Sequence, residues 1–292
     1  MYPIIDGDIL VYRCGFAAEH TEYILTDYRD NEKHRFRYKK EANAYLAANQ
    51  EDSYFLQTET IVEPMEFALQ NVKVTLEKIM ELAKAEPNKY EIWLSGPTNY
   101  RDQLATTRVY KGNRDPEHKP TWYQEIKDYL VNYHNAKFSE GCEADDMLAI
   151  RANEIRKTVT QEDTIVIVST DKDLDQVPGV HINWVKEEIY YISKEEASRF
   201  YWEQVISGDP SDNIQGIPGM GPVKAKQYLD KYDPAEWEWA VEQLYIDHYL
   251  HNPTSVFEEH KMLIKIGLLK EDAQVNHEST TTQEENDVST GC

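Results

Sequence analysis

Two acidic clusters lie close together in the middle of the chain: Glu143-Ala144-Asp145-Asp146 and Ser169-Thr170-Asp171-Lys172-Asp173. Crowded carboxylates repel one another and are costly to desolvate, so a folded protein keeps them mostly where a cation neutralises them. Oxygen-only ligands suit hard divalent ions such as Mg2+ or Mn2+. The chemistry such a site supports is metal-assisted phosphoryl transfer.

The flanking sequence supplies elements to hold these acids. Thr164 to Val168 is a continuous β-branched run, expected of a central parallel strand, and it delivers Asp171 and Asp173 at its C-terminal end. Glu143 precedes a helix whose first turn holds Asp145 and Asp146. Capping and the helix dipole account for one of these acids but not three. Pro3-Ile4-Ile5 reads as a short buried strand ending on Asp6, where an open α/β sheet places its ligands. By itself Asp6 would read as a helix cap.

Further along, Tyr90–Leu94 forms a second buried strand, and residues 64–85 and 121–133 carry helical periodicity. His181–Trp184 and Ile189–Ile192 form a closing hairpin or edge pair. This β-α alternation predicts a parallel sheet with helices on both faces. Residues 20–62 are less regular: a hairpin around Asp30-Asn31, then a helix over 41–49. There Arg35 and Arg37 alternate with aromatics, a pattern open to nucleic-acid backbone contact, although a solvated hairpin face explains it more simply. Residues 101–119 are basic and aperiodic, predicting an exposed, mobile segment. Gly216 to Gly221 forms a tight turn between two helices, whose N–H groups can meet a phosphate, followed by Lys224, Lys226 and Lys231. Two more helices cover 237–250 and 256–269, and residues 271–292 read as a disordered acidic tail.

The chain has 292 residues, 40% of them hydrophobic, and a formal net charge of −22. That charge opposes a polyanionic partner overall, but the basic residues are locally dense in 29–40 and 101–119, and the local field governs binding. Three scattered cysteines exclude a disulfide framework or zinc site. No apolar run is long enough to span a membrane, and Met1 leads directly into the first strand, so a cytoplasmic protein is expected.

Taken in order, Ile5-Asp6-Gly7, Tyr110-Lys111-Gly112-Asn113-Arg114, Glu143-Ala144-Asp145-Asp146, Ser169-Thr170-Asp171-Lys172-Asp173, Gly208-Asp209-Pro210-Ser211-Asp212-Asn213 and Gly216-Ile217-Pro218-Gly219-Met220-Gly221 resemble the flap endonuclease/5′-3′ exonuclease family, especially its stand-alone phage-type members. The resemblance runs from about residue 3 to about residue 230. It implies a PIN-like α/β nuclease domain over 1–200 and a helix–three-turn–helix with further helices over 201–270. It also implies hydrolysis of DNA phosphodiesters at duplex ends, nicks or flaps, by a monomer, in the host cytoplasm if the source is a phage, with a role in phage replication or recombination.

By motif, Asp6, Glu143, Asp145, Asp146, Asp171 and Asp173 would hold two Mg2+ ions, replaceable by Mn2+, with Asp209 and Asp212 toward the second. Lys111 and Arg114 would act on the scissile phosphate from a mobile arch. Arg101, Arg108, Lys111, Arg114, Gly216, Gly219, Gly221, Lys224 and Lys226 would contact DNA, with a monovalent cation at the helix–three-turn–helix. One departure stands out: family members often carry an aspartate after the second strand, where this chain has Ser95-Gly96-Pro97. Two alternatives remain, a ribonuclease acting on RNA–DNA hybrids or a catalytically weak DNA-end-binding protein.

Overall fold

The computed structural model describes residues 1–49, 51–115, 118–158 and 165–268. The chain opens with β1 (Tyr2–Asp6), α1 (Gly7–Phe16), β2 (Glu19–Asp27), β3 (Lys33–Phe36), α2 (Lys39–Ala48), β4 (Tyr54–Val62) and α3 (Met65–Ala83). It continues through β5 (Glu91–Leu94), α4 (Arg101–Leu104), α5 (Tyr123–His134), β6 (Lys137–Phe138), α6 (Ala144–Thr158), β7 (Ile165–Val168), β8 (Gly179–Asn183) and β9 (Glu188–Ile192). The last elements are α7 (Lys194–Ser207), β10 (Gly208–Asp209), β11 (Ile214–Gln215), α8 (Pro222–Leu229), α9 (Trp237–His248) and α10 (Pro253–Ile264).

A six-stranded sheet runs β6-β5-β1-β7-β8-β9. Its pairs are parallel up to β8, and β9 closes the edge antiparallel to β8, as the sequence predicts. Every residue of β7 is buried, as expected for a strand covered on both faces. Ile4, Ile165 and Ile167 pack against Ala144, Leu148, Ala149 and Ala152 of α6. A second core, built from Trp202, Val205, Leu229, Val241, Tyr245 and Phe257, joins α7, α8, α9 and α10. Because β1, β5 and β7 run parallel, their C-terminal ends gather at one sheet edge. Helix α1 starts there only because residue 7 is glycine: an added Cβ would lie 2.5 Å from the Trp93 carbonyl oxygen.

By contact, the described residues of 1–9, 77–115 and 130–268 form one compact unit, and those of 10–76 with 118–129 form another. Residues 201–268 therefore cluster with the sheet rather than apart from it. The second unit holds a three-stranded antiparallel sheet, β3-β2-β4. The hairpin of β2 and β3 and the helix α2 follow the sequence expectation, whereas β4 was not anticipated. The expected tail over 271–292 lies outside the described residues. No helix among the described residues is long and apolar enough to cross a membrane.

Candidate active site

Asp6 ends β1 at the sheet edge, 5% exposed. Its carboxylate accepts the Ser169 hydroxyl at 2.8 Å and the Ile9 amide at 3.1 Å. Burial, and then the neighbouring Asp8, push its pKa up to about 7. Ser169 Oγ also accepts the Asp171 amide at 3.0 Å, so one hydroxyl ties the end of β1 to the turn after β7. Asp171 caps that turn by accepting the Asp173 amide at 2.9 Å. Asp8 accepts the Ser95 amide through both carboxylate oxygens, at 3.2 and 3.1 Å. Ser95 Oγ in turn accepts the Ala144 amide at 2.9 Å.

Glu143 and Asp146 face cations. Asp146 is fully buried and held by Arg101 through two hydrogen bonds of 2.6 and 2.9 Å. It also accepts the Glu143 and Gly267 amides at 3.1 and 2.9 Å. Arg101 is itself 2% exposed and donates to the carbonyls of Leu263 and Lys265 at 2.9 and 2.7 Å. Burial works against its charge, but Asp146 outweighs it and raises the guanidinium pKa further.

Residues 108–114 dock on the loop between β10 and β11. The Lys111 amide donates to the Asp212 carbonyl at 2.9 Å, and the Asn213 side-chain amide to the Val109 carbonyl at 2.9 Å. Lys111 has φ +52°, a left-handed conformation that costs a non-glycine residue energy and that these contacts over-determine. Its ammonium pairs with Glu143 and lies 3.7 Å from Asp212. Arg114 also pairs with Asp212. The buried Tyr110 hydroxyl sits 2.6 Å from Glu143 Oε2 and 2.7 Å from Asp212 Oδ2. Burial opposes the Glu143 charge, but Lys111 and then Arg101 overcome it and hold its pKa below the ordinary carboxylate range.

Asp145, Asp173, Asp209 and Asp212 line one cavity of about 20 Å³ with Arg101, Tyr110 and Gln204. Burial, then Asp171 and Asp209, push Asp173 up to about 7. Burial, then Asp146 and Glu143, raise Asp145 well above its ordinary value. Asp173 is oriented by the Gln204 side-chain amide at 2.7 Å, and Gln204 by Gln176 at 2.8 Å. This oxygen-only donor set fits a hard divalent ion in kind. Among the described residues no three His, Cys, Asp or Glu side chains converge closely enough to enclose one. Here Glu143 and Asp212 turn instead to Lys111, Arg114 and Tyr110. Asp209 accepts the Ser211 amide and hydroxyl at 2.8 and 2.7 Å.

A groove of about 410 Å³ runs along Asn213 to Gly221, with Arg108 on its wall. Arg108 donates to Gln215 at 2.5 Å. Gly216 is tightly packed: an added Cβ would lie 2.1 Å from the Ser207 carbonyl carbon. Gly219, at φ +76°, and Gly221 are instead open on their Cα side. Lys224 folds back to the Gly219 carbonyl at 2.9 Å, and Lys226 is exposed. Lys231 falls beyond the end of α8.

No family model matches the chain. It is similar to "Flap endonuclease Xni" of Vibrio campbellii, 30% identical over 184 residues, covering 55% of this chain and 65% of that protein. It is also similar to "5'-3' exonuclease" of Mycoplasma genitalium, 31% identical over 194 residues, covering 58% of this chain and 65% of that protein. Over the matched residues the chain is thus similar to a flap endonuclease and a 5′-3′ exonuclease. It spans somewhat under two thirds of the length of these curated relatives. In fold it is similar to the T5 D15 protein co-crystallised with metal ions, with a TM-score of 0.57 at 15% identity over 94% of this chain and 92% of that one. It is likewise similar to the bacteriophage T5 D15 flap endonuclease in a pseudo-enzyme-product complex with DNA and metal ions, with a TM-score of 0.55 at 15% identity over 94% and 92% of the two chains.

Two of the residues expected at the site are already engaged with one another in this structure. The Asp146 carboxylate is taken up by Arg101 and two backbone amides. Arg101, expected among the DNA contacts, is buried and committed to Asp146. The segment expected to be wholly exposed is also partly core: Arg101, Leu104 and Tyr110 are buried. Three contributors were missed. Asp8 stands against the position after β5 where an acid was expected, and its signal was its spacing two residues from Asp6. Ser169 opens the second acidic motif. Gln204 had no local signal, since only the packing of α7 brings it to Asp173.

Proposed function

We propose that this protein is a metal-dependent 5′-3′ exonuclease/flap endonuclease that hydrolyses DNA phosphodiesters to leave 5′-phosphates. The observation that carries the reading is the single cavity lined by Asp145, Asp173, Asp209 and Asp212, with Lys111 and Arg114 beside it. Asp6, Asp171 and Glu143 would complete the set of acids for two Mg2+ ions, or Mn2+ in their place. Bound ions of this kind activate water and offset the charge that develops on phosphate. Lys111 and Arg114 face carboxylates here, and a DNA phosphate would become an alternative partner for both, stabilised electrostatically where its charge grows. The α7–turn–α8 segment would serve as the helix–three-turn–helix, offering the open backbone at Gly219 and Gly221, with Lys224 and Lys226, to a duplex phosphate. A monovalent cation at that turn, a monomeric state and a place in phage replication complete the reading.

The test is Mg2+-dependent digestion of 5′-labelled DNA on blunt, nicked and flapped substrates side by side. Mononucleotide release from ends or nicks is the exonuclease outcome, and cleavage at the junction the flap endonuclease outcome. Intact binding without cleavage in Mg2+ or Mn2+ would overturn the reading in favour of a DNA-end-binding protein.

A further inference from the structure

The second compact unit carries a run of cations that the proposed active site does not use. Lys33-His34-Arg35-Phe36-Arg37-Tyr38-Lys39-Lys40 contains five Lys or Arg and no acid, in a chain with 53 acidic and 31 basic residues. Strand β3 is an edge of its sheet, so its outer backbone groups have no neighbouring strand. The two-residue period of the strand sorts its side chains. His34 and Phe36 turn inward onto Tyr45 of α2, at ring separations of 4.7 and 5.3 Å. Lys33 and Arg35 point the other way and are exposed, and Arg37 follows, also exposed.

Acids do reach this surface, but they are taken up by one residue. Arg35 pairs with Glu22 of β2 and Glu59 of β4, at 2.8 Å each. Lys33, Arg37, Lys39 and Lys40 have no ion-pair partner among the described residues and are all exposed. With acids in such excess, four unpaired cations within eight residues are not explained by a shortage of anions. Lys39 and Lys40 also begin α2, in the first turn, where the helix dipole disfavours positive charge. Glu41, the one acid of that turn, reaches back toward the Tyr38 amide at 3.4 Å. Tyr38 stands between Arg37 and Lys39 with 63% of its surface exposed.

A local concentration of unpaired cations around an exposed aromatic ring is the combination that binds a single nucleic-acid strand: charge tracks the phosphates, and the ring stacks on a base. We propose that Lys33, Arg37, Lys39 and Lys40, with Tyr38, form an accessory site for single-stranded DNA. The inference rests on the nuclease reading for the identity of the nucleic acid, and on the strip itself for the binding.

The experiment is fluorescence anisotropy of a labelled oligothymidylate, titrated with full-length protein in EDTA at several salt concentrations. It compares wild type with the quadruple variant Lys33→Gln/Arg37→Gln/Lys39→Gln/Lys40→Gln. The variant is expected to weaken Kd about tenfold or more and to flatten the slope of log K against log[salt] by about 3, at roughly 0.7 for each phosphate no longer neutralised. The smaller variant Lys39→Gln/Lys40→Gln should flatten it by about half as much, and Tyr38→Leu should weaken Kd with the slope unchanged. Melting curves check that each variant is folded. An unchanged Kd and slope in folded variants would overturn the site. An equal loss on a blunt duplex lacking any single strand would overturn its assignment to single-stranded DNA. Flap cleavage by wild type, measured in parallel in Mg2+, separates the two readings: absence of cleavage removes the nuclease and leaves the strip standing, whereas cleavage with unaltered variant binding removes the strip alone.

Discussion

The acids of the candidate site fall into two neighbourhoods. Around Glu143 and Asp146 the protein provides its own cations, Lys111 and Arg101, and the charges are settled. At Asp6 and Asp173, burial and neighbouring carboxylates push both groups to about 7 instead. Burial alone does not separate the two, since Asp146 is the most buried of all. The difference lies in what faces each carboxylate. The fully buried pair of Asp146 with Arg101 builds the scaffold, and the acids left with excess negative charge are where a ligand cation has most to offer.

The largest expected effect comes from breaking the settled side. Arg101→Met leaves Asp146 buried without its partner and should destabilise the protein by about 3–5 kcal/mol, measured by urea denaturation. A loss below about 1 kcal/mol would mean that Asp146 finds other compensation and that the contrast is weaker than drawn.

On the strained side the expected signs differ. Asp173→Asn and Asp145→Ala should abolish cleavage while leaving DNA binding largely intact. Asp173→Asn should also stabilise the metal-free protein at pH 8. Asp6 and Asp173 have folded pKa values of about 7 against an ordinary 3.8. The folded state therefore holds protons that the unfolded chain has released, so the stability this contributes is present at acid pH and lost as pH rises through about 7. Metal-free melting temperatures should accordingly fall between pH 4 and pH 8, less steeply in Asp173→Asn, and recover on adding Mg2+ or Mn2+. A wild-type melting temperature that rises with pH over that range would remove the strain from this half of the comparison.

Lys111→Ala probes the boundary between the two neighbourhoods and should slow cleavage about a hundredfold with a smaller change in DNA affinity. Equal losses in rate and affinity would make Lys111 a simple phosphate anchor. The smallest effect belongs to Gln204→Leu, which leaves Asp173 without its orienting amide and should lower activity about tenfold, with Mg2+ titration showing whether the loss lies in metal affinity.

The legible part of this protein was local. Continuous β-branched runs announced β7, and acids at the ends of such runs announced Asp6, Asp171 and Asp173, because strand period and strand ends are written in adjacent residues. The illegible part was pairwise and distant. Arg101 lies 45 residues from Asp146 in a stretch without apolar periodicity, where a buried guanidinium has no local signature. Gln204 reads as an ordinary polar residue of α7. β4 escaped notice because none of its residues is buried, so alternation between a dry and a wet face is weak.

The sequence by itself determined which residue types are available, in what order, and that acids gather where strands end, since these follow from chain chemistry over a few residues. Only the tertiary structure decided which of those acids are neutralised and which are not. That outcome depends on which cations the packing of α4, α10 and the 108–114 segment brings within a few ångströms, and spacing along a chain does not fix distance in space.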